Sequence, residues 1–335
     1  MPTILSPLSF AGLTLRNRIA MPPMWSGQAT AEGFASDANV EYHRVRAAAG
    51  TGLVIVEHAF VHPQGRASAT QLGSHDDACL DGLARIASAI RAEGAVACLQ
   101  ISHAGSRTAS RVTGLPVVAP SPVSTGRDPQ GDVPRALTAD GIAEVVEAFA
   151  AAAARAQRAG FDAVEVHAAH GFLLSQFLSP LTNHRDDEYG GDDARRCRLA
   201  ADVVGAIRRR VGERFPVFVR LGMHDERPGG LTLAPACWVA SRLVAAGVSL
   251  IDVSGGLAGS DDPGRGPGYF VPYAEAVKDV VDVPILVAGG ISAPETADVI
   301  VRSRRADIVG IGRAMLADPA WARHAMERLR RAATA

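Results

Sequence analysis

Short apolar runs bounded by turn residues recur along the chain and are separated by longer segments in which apolar residues return at helical spacing. A run that is apolar throughout is typical of a strand buried on both faces of a sheet, whereas strict alternation marks a strand with one exposed face. The pattern predicts eight buried strands, at Arg18–Met21, Leu53–Glu57, Val96–Ile101, Ala163–His167, Val217–Leu221, Leu250–Val253, Ile285–Ala288 and Ile308–Ile311.

The segments between these strands are rich in alanine, arginine and glutamate. Gly94, Gly160 and Gly247 each stand between a helical segment and the next strand, where glycine ends a helix readily because it adopts positive φ. The clearest helices are predicted at Asp81–Glu93, Ala139–Ala159, Ala194–Val211, Ala234–Ala246 and Pro294–Ser303.

Repeated alternation of strand and helix implies parallel strands joined by right-handed crossovers. Eight such units predict one α/β domain over residues 1–335, a (β/α)8 TIM barrel. A doubly wound open sheet is the competing architecture, but no GxGxxG loop follows the first strand.

Additional segments are expected at both ends of the barrel. Leu8–Leu15 alternates around Ala11-Gly12 and predicts an N-terminal β-hairpin that closes the N-terminal mouth of the barrel. Three strand-to-helix connections are long enough to form binding loops or lids on the C-terminal face, at His103–Thr138, His170–Asp193 and Ser254–Tyr269.

Charge and hydropathy narrow the class of partner. A net charge of -1 gives no electrostatic reason to expect nucleic acid or an anionic membrane. No apolar run approaches the roughly 18 residues of a spanning helix, and the first residues lack the basic head and apolar stretch of a signal peptide. We therefore expect a cytoplasmic protein whose partner is a small-molecule substrate; whether it forms a homo-oligomer stays open.

Cysteine and lysine usage excludes two kinds of site. The 4 cysteines lie far apart without a CxxC pair, so we expect reduced structural thiols and no metal site. Lys278 is the only lysine of the chain, and it falls in a helical segment rather than at a strand end. A Schiff-base mechanism needs a lysine in the site, so this chemistry is excluded.

Polar residues and glycines follow the predicted strands, at the end where barrels carry their active sites. His167 ends the fourth strand and His170 follows it, and Glu165, on the same side of the strand as His167, is expected to pair with Arg220. Glycines at a strand exit let backbone N–H groups approach a phosphate, with which an arginine can pair. The candidates at the other exits are Pro22, Pro23, Met24, Trp25, His58, Gln100, His103, Arg220, Gly289, Gly290, Gly312 and Arg313.

A metal-dependent lyase or hydrolase is one alternative class. His103, His167 and His170 could serve as its ligands, but no carboxylate with convincing ligand spacing completes the set.

A series of motifs runs along nearly the whole chain. It comprises Asn17–Met24, Pro63–Arg66, Gln100–Gly105, His167–Gly171, Leu178–Pro180, Asn183–Arg185, Asp187–Gly191, Phe218–Arg220 and Gly310–Arg313. In this order the motifs resemble the Old Yellow Enzyme family of FMN-dependent oxidoreductases. The His-Ala-Ala-His form is most similar to a bacterial subclass with two histidines.

The resemblance implies an FMN site, with NAD(P)H as the reductant. Gln100 would hydrogen-bond the flavin pyrimidine ring, and Arg220 would place positive charge beside it. The flavin would lie along Pro22, Pro23, Met24, Trp25 and His58, and its phosphate would be held by Gly289, Gly290, Gly312 and Arg313.

The resemblance also implies a substrate site above the flavin. His167 and His170 would be the catalytic residues, binding a carbonyl or phenolate oxygen, with Trp25 and Phe172 beside them. Two N–H donors on one oxygen withdraw electron density from a conjugated alkene, which then accepts hydride from flavin N5. The expected reaction is reduction of a C=C bond conjugated to a carbonyl or nitro group.

The chain departs from the family around the substrate. Phe172 stands where the family commonly has a proton-donating tyrosine, and Trp25 where it often has cysteine or threonine. Gly27 occupies a position that is often tyrosine in the subclass, and His58 one that is usually small. Water or His58 would supply the proton, unless the reaction needs none. An FMN-dependent dehydrogenase, a redox-neutral isomerase and a flavin-binding protein without turnover are therefore alternatives.

Overall fold

Eight parallel strands close into a barrel in the computed structural model, which describes residues 1–125, 131–260 and 266–334. Every strand pairs with its neighbours in sequence, and the last closes on the first, so the predicted TIM barrel is confirmed. The strands are β1 (Ile19–Met21), β2 (Leu53–Phe60), β3 (Val96–Ser102), β4 (Ala163–Ala168), β5 (Val217–Gly222), β6 (Leu250–Ser254), β7 (Ile285–Val287) and β8 (Ile308–Gly310).

A helix follows each strand and covers the outside of the barrel. These helices are α1 (Asp37–Ala48), α2 (Leu80–Ala92), α3 (Ala139–Arg158), α4 (Asp193–Val211), α5 (Leu233–Ala245), α6 (Val271–Lys278), α7 (Pro294–Arg302) and α8 (Trp321–Thr334). The five predicted helices are confirmed to within one residue at each end. Helix α1 was not predicted, because its buried face carries Asn39, His43 and Arg46 instead of an apolar stripe.

Strand β2 is longer than the apolar run that predicted it. It continues past Glu57 to Phe60, with an irregular register between Val56 and Ala59. Glu57 and His58 interrupt the apolar pattern at this irregularity, which is why the prediction ended too early. A bulge in a strand can re-aim a side chain toward a site; here His58 belongs to the strand rather than to the loop after it.

The N-terminal hairpin closes one end of the barrel, as predicted. Strands Leu8–Phe10 and Leu13–Leu15 pair antiparallel, and the ring of Phe10 lies 5.9 Å from that of Phe218 inside the barrel. The barrel interior above the hairpin is apolar, formed by Leu15, Ala20, Leu53, Ile55, Cys98, Ala163, Phe218, Leu250, Leu286 and Ile308.

Toward the other end the inward-facing positions become polar. Gln100, Glu165, Arg220 and Asp252 follow two residues after the apolar positions Cys98, Ala163, Phe218 and Leu250 on the same strands, so they point to the same side. The change places buried polar groups directly under the C-terminal face.

The long connections carry structure of their own. Within the first, Val118–Ala119 pairs with Arg135–Ala136, and a short helix covers Leu173–Leu178 in the second. The predicted loops His103–Thr138 and Ser254–Tyr269 each lie partly outside the described residues. None of the described helices has the length and apolar character needed to cross a bilayer.

Candidate active site

A cavity of about 460 Å³ opens at the C-terminal end of the barrel. Its lining combines a glycine-rich end, three arginines and three histidines, and it includes every residue that the resemblance implies for the flavin and the substrate, but not the candidate His103. These residues are Pro22, Pro23, Met24, Trp25, His58, Gln100, His167, His170, Phe172, Arg220, Gly289, Gly290, Gly312 and Arg313.

The two histidines of the fourth strand lie side by side. His167 is the penultimate residue of β4, and the centroid of its ring is 5.0 Å from that of His170 in an edge-on arrangement. His170 has φ of 58°, which is uncommon for a residue with a Cβ, and Gly171 follows with φ of 71°. Arg107 donates a hydrogen bond to the carbonyl of His170 and so ties this turn to the loop after β3.

Both imidazoles are neutral at physiological pH. Burial lowers the pKa of His167 well below its usual value, and His170 and Arg220 lower it further. Burial, followed by Arg220 and Arg107, does the same for the pKa of His170. Nδ1 of His167 is buried and has no hydrogen-bond partner among the described residues. Each neutral ring offers one N–H donor, so the pair suits an electron-rich oxygen.

Arg220 on β5 places a positive charge beside the histidines. Its Nε lies 3.2 Å from Asp252 Oδ2, and its NH2 donates to Ser254 Oγ at 3.3 Å. Ser254 Oγ is also 2.6 Å from Nε2 of His170. The ion-pair partner of Arg220 is therefore Asp252, and the prediction that Glu165 takes this place was wrong. Glu165 instead accepts a hydrogen bond from Gln100 Nε2 at 2.8 Å.

The glycines after β7 and β8 form a close backbone wall. Gly290 has φ of 67°, and a Cβ built on it would lie 3.1 Å from the ring of Tyr269. A Cβ on Gly312 would lie 3.0 Å from Met24 Sδ. Because a side chain at either position would intrude on packed atoms, glycine keeps the backbone of this end of the cavity accessible.

Phe172 and His58 complete the wall beside the histidine pair. The Phe172 ring centroid is 4.5 Å from that of His167 and 5.4 Å from that of His58. Burial, assisted by Arg220, lowers the pKa of His58 to about 4. His58 is therefore neutral near pH 7 and is a weaker proton donor than an imidazolium would be.

Trp25 stands at the mouth of the cavity and is 52% exposed. The following segment is anchored below it, because Ser26 donates to Glu57 through both its N–H, at 3.1 Å, and its hydroxyl, at 2.5 Å. A Cβ on Gly27 would approach the Trp25 ring to 3.3 Å. The indole thus occupies the space beside Gly27, and Glu57 has a structural role.

His103 does not line the cavity. Its Nδ1 accepts a hydrogen bond from the Gly105 N–H at 3.1 Å, and its ring packs against Gly65. In the part of the chain that the structure describes, no three His, Cys, Asp or Glu side chains are grouped as metal ligands would be. The geometry gives no support to a metal centre built from His103, His167 and His170.

Two prominent lining residues were not predicted. Arg107 lies just beyond the Gln100–Gly105 motif, and Tyr269 precedes helix α6. Tyr269 donates its hydroxyl hydrogen to the Ser260 carbonyl at 2.8 Å, and Arg313 approaches the same hydroxyl at 3.4 Å. Both residues belong to the connections after strands, where hydrophobic periodicity does not indicate which way a side chain points.

Comparison with known proteins shows which family the chain matches. Residues 3–331 match the model of the NADH:flavin oxidoreductase / NADH oxidase family. The chain is 40% identical to an NADH oxidase of Thermoanaerobacter brockii over 333 residues, which are 97% of this chain and 51% of that protein. It thus spans about half the length of this relative.

Other relatives are matched over most of their length. An NADPH dehydrogenase of Geobacillus sp. is 37% identical over 319 residues, or 95% of this chain and 92% of that enzyme. The solved structure of an Old Yellow Enzyme homologue from Zymomonas mobilis superposes with a TM-score of 0.86 at 30% identity, covering 98% of this chain and 93% of that one.

Proposed function

The chain belongs to the NADH:flavin oxidoreductase / NADH oxidase family, and from this premise we propose that it is an FMN-dependent NAD(P)H oxidoreductase of ene-reductase type. The substrate class is an activated alkene conjugated to a carbonyl or nitro group. The single observation that carries the proposal is the neutral pair His167 and His170 at one wall of a cavity whose far end is backbone glycine.

The lining residues fit FMN. Gly289, Gly290 and Gly312 leave backbone free to approach a phosphate, and Arg313 supplies positive charge at the same end. Gln100 and Arg220 line the cavity with a hydrogen-bonding amide and a cation, which would meet the pyrimidine edge of a flavin. The described lining residues include no carboxylate, which suits an anionic cofactor. Pro22, Pro23, Met24, Trp25 and His58 would lie along the ring.

His167 and His170 would hold the acceptor. Bound FMN, reduced by NAD(P)H, would supply hydride to the β-carbon of the alkene. The two imidazole N–H groups would bind the carbonyl or nitro oxygen and stabilise the negative charge that develops on it. Phe172 and Trp25 would contact the apolar part of the substrate.

The source of the second proton distinguishes this chain from the family pattern. Phe172 has no proton to give, and the His58 ring 5.4 Å from it is neutral. Solvent water admitted past the exposed Trp25 would therefore protonate the α-carbon. An FMN-dependent dehydrogenase or a redox-neutral isomerase of a specialised metabolite is the alternative that Phe172 favours, because neither requires a tyrosine at that position.

We assign the whole segment 1–335 to one FMN-binding barrel of the two-histidine subclass, acting in the cytoplasm on a small molecule. The subclass rests on the form His167-Ala168-Ala169-His170. Nucleic acid and membrane are not proposed as partners, since the net charge of -1 offers neither an electrostatic attraction.

Anaerobic spectroscopy tests the proposed function. The purified protein, loaded with FMN, is mixed with NADPH and then NADH, and the flavin absorbance is recorded before and after addition of cyclohexenone. We expect the band to bleach with a nicotinamide and to return with the enone. Bleaching without return would move the assignment to the dehydrogenase or isomerase, and failure to bind FMN would overturn it.

A further inference from the structure

The barrel interior just below the cavity holds two carboxyl groups and one guanidinium. Glu165 on β4 and Asp252 on β6 are both 0% exposed, and Arg220, 6% exposed, stands on β5 between them. Asp252 is opposite Arg220 in the register of the two strands, and its Oδ2 is 3.2 Å from the Arg220 Nε. Glu165 lies one step deeper in the barrel, two residues before His167.

This cluster cannot carry both negative charges at low cost. Two carboxylates beside one guanidinium would leave a net negative charge buried away from water, and a shared site of this kind retains a proton. The cation pairs with Asp252, so the proton belongs to the other carboxyl. Asp252 lacks a hydrogen bond of good geometry from the described residues, but the adjacent guanidinium compensates its charge.

The hydrogen bonds of Glu165 agree with this division. Its Oε1 accepts from Gln100 Nε2 at 2.8 Å, whereas its Oε2 is buried without a partner among the described residues. An ionised carboxylate with one bare oxygen in an apolar interior is strongly disfavoured, while a hydroxyl with an unmade hydrogen bond costs much less.

We propose that Glu165 is a neutral carboxylic acid in the folded protein and positions Gln100, while Asp252 carries the negative charge that balances Arg220. Because the NH2 end of the Gln100 amide donates to Glu165, the amide oxygen is the end that would meet a ligand in the cavity that Gln100 lines. Glu165 thereby sets which end of the amide a bound ligand meets. This consequence for the cofactor rests on the proposed function, whereas the charge assignment does not.

The surrounding electrostatics support the assignment. Burial raises the pKa of Glu165 well above its usual value; the charge of Asp252 raises it further, whereas Arg220 and the hydrogen bond from Gln100 oppose the rise. Burial raises the pKa of Asp252 to about 6, with Arg220 opposing. Both shifts favour a proton on Glu165 rather than on Asp252, in agreement with the ion pair between Asp252 and Arg220.

Among the described residues, Arg220 is the one cation that acts on both Glu165 and Asp252. Burial keeps the pKa of the Cys98 thiol on β3 well above its usual value, so the thiol is neutral. The pKa values of His58, His167 and His170, which approach from β2 and the end of β4, are all lowered by burial and by Arg220, so these rings are neutral as well.

Infrared spectroscopy of the purified protein at neutral pH tests the charge assignment directly. A protonated carboxylic acid has its own carbonyl band, and labelling with ¹³C-glutamate or ¹³C-aspartate identifies the residue type. We expect a carbonyl band of a protonated acid that shifts when glutamate is labelled and does not shift when aspartate is labelled. The band should be absent from the spectrum of Glu165→Gln. Glu57→Gln is the matched control, since Glu57 receives hydrogen bonds on both oxygens, and it leaves that band in place. A band that follows labelled aspartate, or that survives in Glu165→Gln, would overturn the proposal.

The positioning role is read from cofactor affinity. Glutamine at residue 165 can still accept from Gln100, so Glu165→Gln should change the FMN dissociation constant less than about 3-fold. Glu165→Leu removes the acceptor and should weaken FMN binding roughly 3- to 10-fold, the range of one net hydrogen bond. Equal loss in both variants contradicts the positioning role. A protein that binds no FMN at all contradicts the proposed function, and the infrared result still decides the charge assignment.

Discussion

Nε2 of His170 lies 2.6 Å from the Oγ of Ser254, the last residue of β6. The same hydroxyl accepts a hydrogen bond from Arg220 NH2 at 3.3 Å. Ser254 therefore connects His170, which is proposed to bind the substrate, to the arginine that would lie beside the flavin. With the carbonyl of His170 held by Arg107, the ring and the backbone of this residue are fixed from opposite sides. The unusual φ of His170 is supported by contacts rather than by its own preference.

Replacing Ser254 by alanine should loosen the His170 ring without emptying the flavin site. One hydrogen bond is worth about 1 kcal/mol, so we expect a roughly 5-fold increase in the dissociation constant of a phenolate such as p-hydroxybenzaldehyde. Ser249→Ala is the matched control, because Ser249, the residue just before β6, donates to the Val217 carbonyl at 3.1 Å. Unchanged phenolate binding in Ser254→Ala would contradict the positioning of His170 by this hydroxyl.

Restoring the tyrosine at residue 172 should accelerate enone reduction. The Phe172 ring is in contact range of the His167 ring, with centroids 4.5 Å apart, so a hydroxyl on it would reach the same space as the acceptor. A general acid contributes about 10²- to 10⁴-fold, and Phe172→Tyr should recover part of this in the oxidative half-reaction. Phe172→Leu changes the ring without adding a proton donor and is expected to show no gain. No gain in Phe172→Tyr would sink the idea that the missing hydroxyl limits the rate.

The glycine wall should be sensitive to a single methyl group. Gly290→Ala places a Cβ 3.1 Å from Tyr269 in the proposed phosphate end, and we expect FMN binding to weaken at least 10-fold. Gly114→Ala is the control matched in φ, since Gly114 has φ of 70° but no atom within 4 Å of the new Cβ. Gly290→Ala alone should lose FMN. Equal FMN affinity in the two would place the phosphate elsewhere.

His43 should make the free energy of unfolding decrease at acidic pH. It is 0% exposed on α1, and burial lowers its pKa to about 4. Because the unfolded chain binds a proton near pH 6.5 and the folded chain does not, the stability that His43 contributes is complete above pH 6.5 and falls as pH drops toward 4. The expected slope is about 1.4 kcal/mol per pH unit.

Unfolding free energies at pH 7 and pH 5 provide the measurement for His43. His43→Gln should have a smaller free energy of unfolding than the parent at pH 7. Its free energy of unfolding should also fall less between pH 7 and pH 5, because the unfolded variant takes up one proton fewer. A parallel pH dependence in the two proteins would show that His43 is charged in the fold or does not titrate in this range.

The sequence predicted the barrel because its strands are uniformly apolar and its helices have a clear period. The same reasoning brought most of the candidate residues, though not His103, to one cavity, since residues at the C-terminal ends of parallel strands converge on one face. It could not find the partner of Arg220. Periodicity placed Glu165 on the correct side of β4, but only the register of β5 and β6 puts Asp252 opposite Arg220.

Loop residues and polar helix faces were not predicted from the sequence, for a related reason. Arg107 and Tyr269 reach the cavity through the paths of long connections, which no repeating pattern encodes. Helix α1 buries Asn39 and His43, so its inward face reads as polar, and only the contacts of Asn39 with Glu57 and Ser26 explain why. The departures from periodicity coincide with the neighbourhood of the site, where function constrains the residues more than packing does.

The central claim is that His167 and His170 hold an oxygen above a flavin in this cavity. Its most direct test is titration of the FMN-loaded protein with p-hydroxybenzaldehyde, followed by the long-wavelength charge-transfer absorbance of a phenolate stacked on oxidised flavin. The wild-type protein should develop the band at low ligand concentration. The double variant His167→Ala, His170→Ala should retain FMN and lose the band. A band of equal strength and affinity in the double variant would contradict the account.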